Sequence, residues 1–312
     1  MTVRLKIGNA PCSWGTIEGM NESERLSFTT MLDELVAAGY TGTELGDYGF
    51  MPTDAGELRT ALSTRNLTML GAYVDVSLVD PAAQTEGLAR VLTIARLLQS
   101  VADLGDEAWQ PYLVLADRHS ENPSRFQNAG RVTPDLSLTA AQMQTFAEHA
   151  NRIGETVTKE TGLETVFHHH CAGYVETPEE IGRFLELTDP EHINLVFDTG
   201  HYLYGSGENT AGIITEALER WQERIRYVHF KDLEPEVAKA ARQEGWDYKT
   251  AIGRGVFCEL GRGCIDFASV VGTLNTQAYE GWITVEQDML PGLGTPRESA
   301  ARSRTFLRKL GV

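Results

Sequence analysis

Positive charge is what this 312-residue sequence lacks most: 27 lysines and arginines stand against 44 aspartates and glutamates, a formal net charge of −17. A nucleic-acid backbone or an anionic membrane surface needs a basic face, so neither is expected as a partner. Cysteine is scarce too. Cys12, Cys171, Cys258 and Cys264 form no Cys-x-x-Cys pair and no regular spacing, which argues against a disulfide framework and for reduced thiols in the cytoplasm. No apolar run reaches the length of a membrane helix, and Met1–Lys6 lacks the apolar stretch of a secretion signal. Nor does a glycine-rich phosphate fingerprint follow the first strand-like run, where a dinucleotide-binding fold would want one. With no low-complexity segment and no linker, one domain over residues 1–312 is expected.

Against these absences stand four apolar runs, each ending in metal-ligand types: Val166-Phe167-His168-His169-His170, Leu195-Val196-Phe197-Asp198, Tyr227-Val228-His229 and Ile283-Thr284-Val285-Glu286. Such runs read as strands buried on both faces. The rest of the chain alternates in the same way. Strands are predicted at Leu5–Ala10, Gly42–Leu45, Thr68–Val74, Tyr112–Ala116, Glu164–His170, Asn194–Asp198, Arg226–Phe230 and Trp282–Gln287. Helical periodicity fills Glu22–Ala38, Ala55–Arg65, Pro81–Val101, Leu138–Lys159, Pro178–Leu187, Thr210–Glu223, Phe267–Thr276 and Glu298–Lys309. This count is that of an α/β (β/α)8 TIM barrel, with a doubly wound open sheet as the alternative. Two long loops, Asp117–Leu136 and Lys231–Ile265, would then sit at the catalytic end.

His168 and Asp198 are 30 residues apart, Asp198 and His229 31, and His229 and Glu286 57 with the long loop included. Each step is one βα unit, so His168, Asp198, His229 and Glu286 can meet around one divalent ion. Two imidazoles and two carboxylates suit Mn2+, Co2+, Fe2+ or Zn2+ better than Ca2+. Which of His168 and His170 ligates is open; the other is a candidate substrate contact. Asp198 could instead cap the turn that follows it, and His229 could bond to backbone. An unpaired buried Glu286 would be costly without a partner.

For proton transfer the candidates are His201, Lys231, Glu44 and Glu286. His201 follows Asp198 by three residues and has a free pKa near neutrality. Lys231 shares a strand face with His229, or else pairs with Asp232 or Glu234. Trp14, Glu44, Asp117, Arg118 and His170 are candidate substrate contacts, and Arg131 a weaker one. The glycines of Glu259–Gly263 permit close approach to a ligand, but a flexible lid is the preferred reading there.

Several of these motifs carry a resemblance. Asp198-Thr199-Gly200-His201, His229-Phe230-Lys231-Asp232 and Val285-Glu286-Gln287-Asp288 are similar to the strand-end motifs of the xylose-isomerase-like TIM barrels, over essentially the whole chain. Within that family Ile7–Gly15, Thr43–Gly49 and the triple histidine resemble the myo-inosose-2 dehydratase branch. The resemblance implies a cytoplasmic metal-dependent enzyme acting on a small polyol or sugar, with homo-oligomerisation left open. Ketose 3-epimerases of the family place a glutamate where this chain has His168, and use two glutamates on opposite faces of the sugar. Their absent partner here shifts the expectation from epimerisation towards dehydration of a keto-inositol or related keto-polyol through a metal-stabilised enediolate. A sugar or sugar-acid isomerase or epimerase is the alternative, and a non-catalytic polyol-binding barrel a second.

Overall fold

The computed structural model describes residues 5–15, 26–106, 109–118, 121–208, 212–288 and 294–312. The starts of two predicted helices, residues 22–25 and 210–211, lie outside the described residues. The main sheet contains β1 (Lys6–Asn9), β2 (Gly42–Thr43), β3 (Thr68–Met69), β4 (Gly71–Val76), β5 (Tyr112–Asp117), β6 (Thr165–His168), β7 (Ile193–Asp198), β8 (Ile225–Phe230) and β11 (Trp282–Val285). Its order is β3-β2-β1-β11-β8-β7-β6-β5-β4, with every pairing parallel. Because β3 and β4 are two halves of one strand around Leu70, the nine segments close on themselves as the eight positions of a TIM barrel. A separate hairpin, β9 (Asp232–Leu233) with β10 (Phe257–Cys258), stands above β8.

Helices follow the strands in turn: α1 (Phe28–Ala38), α2 (Ala55–Ser63), α3 (Gln84–Gln99), α4 (Pro123–Gln127), α5 (Ala140–Thr161), α6 (Pro178–Leu187), α7 (Thr199–Gly205), α8 (Ile213–Arg220), α9 (Pro235–Glu244), α10 (Tyr248–Gly253), α11 (Phe267–Thr276) and α12 (Pro296–Lys309). Their starts have local causes. Thr139 with Gln142, and Thr177 with Glu180, form capping boxes at α5 and α6, each satisfying amides that the first helical turn leaves open. Neither long loop is structureless: Asp117–Leu136 contains α4, and Lys231–Ile265 holds the hairpin and both α9 and α10.

Side chains alternate across each strand, and this period of two splits the core. Phe167, Leu195, Phe197, Val228, Phe230, Ile283 and Val285 point outward into the large layer beneath the helices. Val114, Val166, Val196, Tyr227 and Trp282 point inward and, with Leu70 and Trp109, plug the barrel. Two residues further along the same inward faces come His168 after Val166, Asp198 after Val196, and His229 after Tyr227. The fourth ligand type, Glu286, lies four beyond Trp282. The polar layer is thus the continuation of the apolar plug towards the strands' C-terminal ends.

Candidate active site

Strand β6 ends at His168, sooner than the sequence suggests, yet the three histidines still diverge. His168 and His170 line the central cavity. His169 turns outward, where its Nε2 accepts the Asp198 amide at 3.1 Å and burial lowers its pKa to about 3. Glu286 lies just past β11, with its amide still donating to Phe230 O at 2.9 Å.

One donor atom from each of His168, Asp198, His229 and Glu286 lies within 4.8 Å of the other three, and all four residues are buried. His168 Nε2 and His229 Nδ1 are each 3.9 Å from Asp198 Oδ2, and His229 Nδ1 is 3.3 Å from Glu286 Oε1. Asp198 uses its two oxygens differently. Oδ1 accepts the His201 amide at 2.8 Å and so caps α7, whereas Oδ2 has no hydrogen-bond partner. Both nitrogens of His229 also lack an aligned hydrogen bond, although Nε2 lies 2.8 Å from Glu44 Oε1. Buried polar atoms left open towards a common centre are costly unless something binds them. The residues present therefore fit a divalent cation, towards which Asp198 Oδ2 and the His229 nitrogens are left open.

The electrostatics agree. Burial pushes the Asp198 carboxyl up to about 6, against the pull of the Lys231 charge. Burial also holds His168 and His201 neutral, each well below the usual histidine value. For His229 burial works downward too, but the Glu286 and Glu44 carboxylates overcome it and raise the ring to about 10. Burial would raise Glu286; the His229 and Lys231 charges instead hold it well below the carboxylate range. This negative field, which holds a proton on His229, equally favours a metal cation.

Lys231 is buried beside the donors. Its Nζ is 3.2 Å from Glu286 Oε2, 3.3 Å from Asp288 Oδ2 and 3.1 Å from His201 Nε2. Burial opposes its charge, but Asp288 and Glu286 keep the pKa well above that of a free lysine. These partners replace the Asp232 or Glu234 pair that the sequence suggests. Asp232 instead accepts the amides of Leu233, Gly261, Gly263 and Ile265. Glu259 is clamped by Arg302, so the Glu259–Gly263 segment is a pinned turn and does not line the cavity. The flexible-lid reading is corrected on that ground.

Among the other candidates, Glu44 lines the cavity and accepts Tyr227 OH at 2.8 Å. Arg118 also lines it, anchored by Asp75 Oδ2 at 2.8 Å. Asp117 is buried outside the lining, receives the Tyr174 amide at 3.2 Å, and is raised to about 6 by burial. Trp14 lies outside as well, with its indole N–H donating to Glu34 at 2.9 Å. Arg131 ties its loop to Trp246 O at 2.7 Å. Asp288 and Tyr248 are among the cavity residues not singled out as candidates from the sequence. Asp288 was signalled by the same period of two that places Glu286, whereas Tyr248 sits in an insertion that no strand pattern reaches.

A family profile described as "xylose isomerase-like TIM barrel" matches residues 32–310. The chain is 30% identical over 306 residues to a protein named inosose dehydratase from Geobacillus kaustophilus, covering 98% of this chain and 94% of that one. An inosose dehydratase from Bacillus velezensis is 31% identical over 305 residues, covering 96% and 94%. Among solved structures, the apo 3-keto-D-glucoside 4-epimerase YcjR from E. coli superposes with a TM-score of 0.66 at 16% identity, over 98% of this chain and 99% of that one. That likeness concerns the fold alone.

Proposed function

The chain belongs to the xylose isomerase-like TIM barrel family, and on that premise we propose that it is a metal-dependent hydro-lyase that removes water from a keto-inositol or related keto-polyol. One observation carries the proposal. The donor set is two imidazoles and two carboxylates, which leaves Glu286 as the single glutamate of the cage. The two-glutamate arrangement that the resemblance assigns to ketose epimerases is not met. The full-length similarity to proteins named inosose dehydratase points the same way.

His168, Asp198, His229 and Glu286 would hold the ion, with Mn2+, Co2+, Fe2+ and Zn2+ all suited to the mixed donors. When bound, it supplies positive charge that acidifies the carbon next to a ketone. The chain's own residues do the rest. Glu286 Oε2, facing Lys231, is the candidate base for the α-proton. Lys231, kept charged by Asp288 and Glu286, is the candidate acid, giving its proton to the β-hydroxyl as that leaves as water. His201, neutral and 3.1 Å from Lys231 Nζ, positions the ammonium, and the proton taken up by Glu286 Oε2 can return to Lys231 across their 3.2 Å contact. Glu44 holds His229 from the other side, and Arg118 and His170 are candidate contacts for substrate hydroxyls.

The test is direct. Metal-loaded enzyme is incubated with keto-inositols and ketoses in deuterated water, and products are followed by NMR. Loss of water to give a dione or its enol is expected. Deuterium incorporation with an inverted or shifted carbon, and no loss of water, would replace the lyase by an isomerase or epimerase.

A further inference from the structure

The cavity above the donors has a volume of about 600 Å3. A cyclic keto-polyol of a dozen non-hydrogen atoms displaces roughly seven waters, about 200 Å3 at about 30 Å3 each. The space is therefore well in excess of one ring, and ligand sites enclose most of their ligand's surface.

The surplus has a definite wall. Rings leave the metal donors in a row, with centroid steps of 5.5 Å from His168 to His170, 5.5 Å from His170 to Tyr248 and 5.9 Å from Tyr248 to Phe126. Phe126, Tyr248 and Ile252 line the same cavity, with Ile94 also contributing an apolar surface. Phe126 is on α4, in the loop after β5; Tyr248 and Ile252 are on α10, in the loop after β8.

These two loops are fastened together. Gln127 Nε2 donates to Gly245 O at 3.0 Å, Arg131 Nη1 to Trp246 O at 2.7 Å, and Arg242 Nε to Gly130 O at 2.9 Å. From beneath, the buried Arg125 guanidinium holds α4 to Gly173 O and to Glu180. The wall is thus preformed, and an apolar surface fixed before binding adds affinity without an ordering cost.

We propose that this wall is an outer subsite, so that the substrate is a keto-polyol ring carrying a second ring, aryl or glycosyl, on one of its oxygens. The inference rests on the function proposed above for the same site. Carbohydrate C–H faces and aryl rings both pack on aromatic side chains of this kind, which is why one surface suits either substituent. The polar ring sits over the donors, and the substituent lies against the surface of Phe126, Tyr248 and Ile252.

The test uses the metal-loaded protein and a matched series: one keto-inositol unsubstituted, O-methylated, O-phenylated and O-glucosylated at a single position. Calorimetry gives Kd, and loss of water followed by NMR gives turnover. The expected result is a Kd for the phenyl or glucosyl derivative at least about tenfold below that of the O-methyl derivative; whichever binds more tightly identifies the substituent as aryl or sugar. Phe126→Ala and Ile252→Ala should each shrink that ratio. Ring-substituted compounds that bind no better than the O-methyl compound to the unaltered protein would overturn the subsite. Absence of water loss throughout, with the ranking of Kd intact, would overturn the proposed reaction and leave the subsite standing.

Discussion

Arg125 offers the sharpest test of how the site is supported. Its side chain is fully buried; Nη1 and Nη2 each donate to Glu180 at 2.8 Å, and Nε donates to Gly173 O at 2.8 Å. Glu176 lies 3.9 Å away and accepts the amides of Gly130 and Ala172. The cluster joins the α4 loop to the turn that carries His170. Arg125→Met keeps much of the volume but leaves the two carboxylates without their cation. Removing one partner of a buried pair costs about 3–5 kcal/mol. Glu180 keeps the Ser137 hydroxyl and the Glu176 and Thr177 amides as donors, which places the loss at the lower end, about 3 kcal/mol. At a urea slope of about 3 kcal/mol/M the midpoint should fall by about 1 M.

The loss must also depend on pH, in a definite direction. Burial would raise Glu180, but Arg125 holds it below its usual value. The stability from a depressed carboxylate is present above the unfolded pKa and lost as pH falls through the folded one. Glu176 runs the other way: burial outweighs Arg125 and raises it to about 7, so its contribution is present at low pH and lost as pH rises through that value. At pH 8 the variant holds two unpaired buried carboxylates, whereas at pH 5 Glu176 is already protonated. Urea unfolding should therefore give a larger loss at pH 8 than at pH 5. A loss under about 1 kcal/mol at pH 8, or a larger loss at pH 5, would refute the reasoning.

Asp198→Asn should weaken metal binding by more than the roughly 10–100-fold that outer partners are worth, read by calorimetry; retention of tight binding would remove Asp198 from the cage. Lys231→Met should retain stoichiometric metal while turnover falls by about 10²–10⁴; unchanged turnover would exclude Lys231 as the acid. Asp232→Ala strips the acceptor from the amides of Leu233, Gly261, Gly263 and Ile265, and should cost about 2–4 kcal/mol with faster hydrogen exchange at those amides. Glu176→Gln carries a fixed penalty, because its amide faces an N–H donor. Its stability relative to the unaltered protein should nevertheless rise from pH 5 to pH 8, since the raised Glu176 pKa of about 7 no longer applies.

The sequence was most legible where a backbone rule applies. Helices Pro178–Leu187 and Phe267–Thr276 occupy the ranges that periodicity predicts, because each has a capping residue before it and a clean apolar stripe. The end of β6 was less legible. A run of His168, His169 and His170 looks like continued strand, but the chain turns after His168 and Ala172 takes a φ of 73°. Glu176 holds that turn by accepting the Ala172 amide, and accepts the Gly130 amide from the α4 loop as well, from a position that no local pattern marks. Trp14 shows the same limit, since its indole partner Glu34 is on α1, twenty residues away.

The donors and their surroundings differ in legibility for one physical reason. His168, Asp198 and His229 each lie two residues beyond an inward plug residue, and Glu286 four beyond Trp282, so the strand period alone carries them into the barrel mouth. Asp288 follows Glu286 by the same rule and reaches Lys231 at 3.3 Å. What surrounds them comes from loops, where no period holds and position is set by cross-loop bonds such as Arg242 to Gly130 O. The barrel strands thus fix which candidate ion ligands meet, and the insertions fix what shape of molecule can lie above them. Replacing a donor should weaken ion binding for every substrate alike, whereas altering Phe126 or Ile252 should re-rank substrates at constant metal content. A double-mutant cycle between Asp198→Asn and Phe126→Ala, read as metal affinity, should accordingly be additive within about 0.5 kcal/mol; strong coupling would mean that the insertion also sets the geometry of the cage.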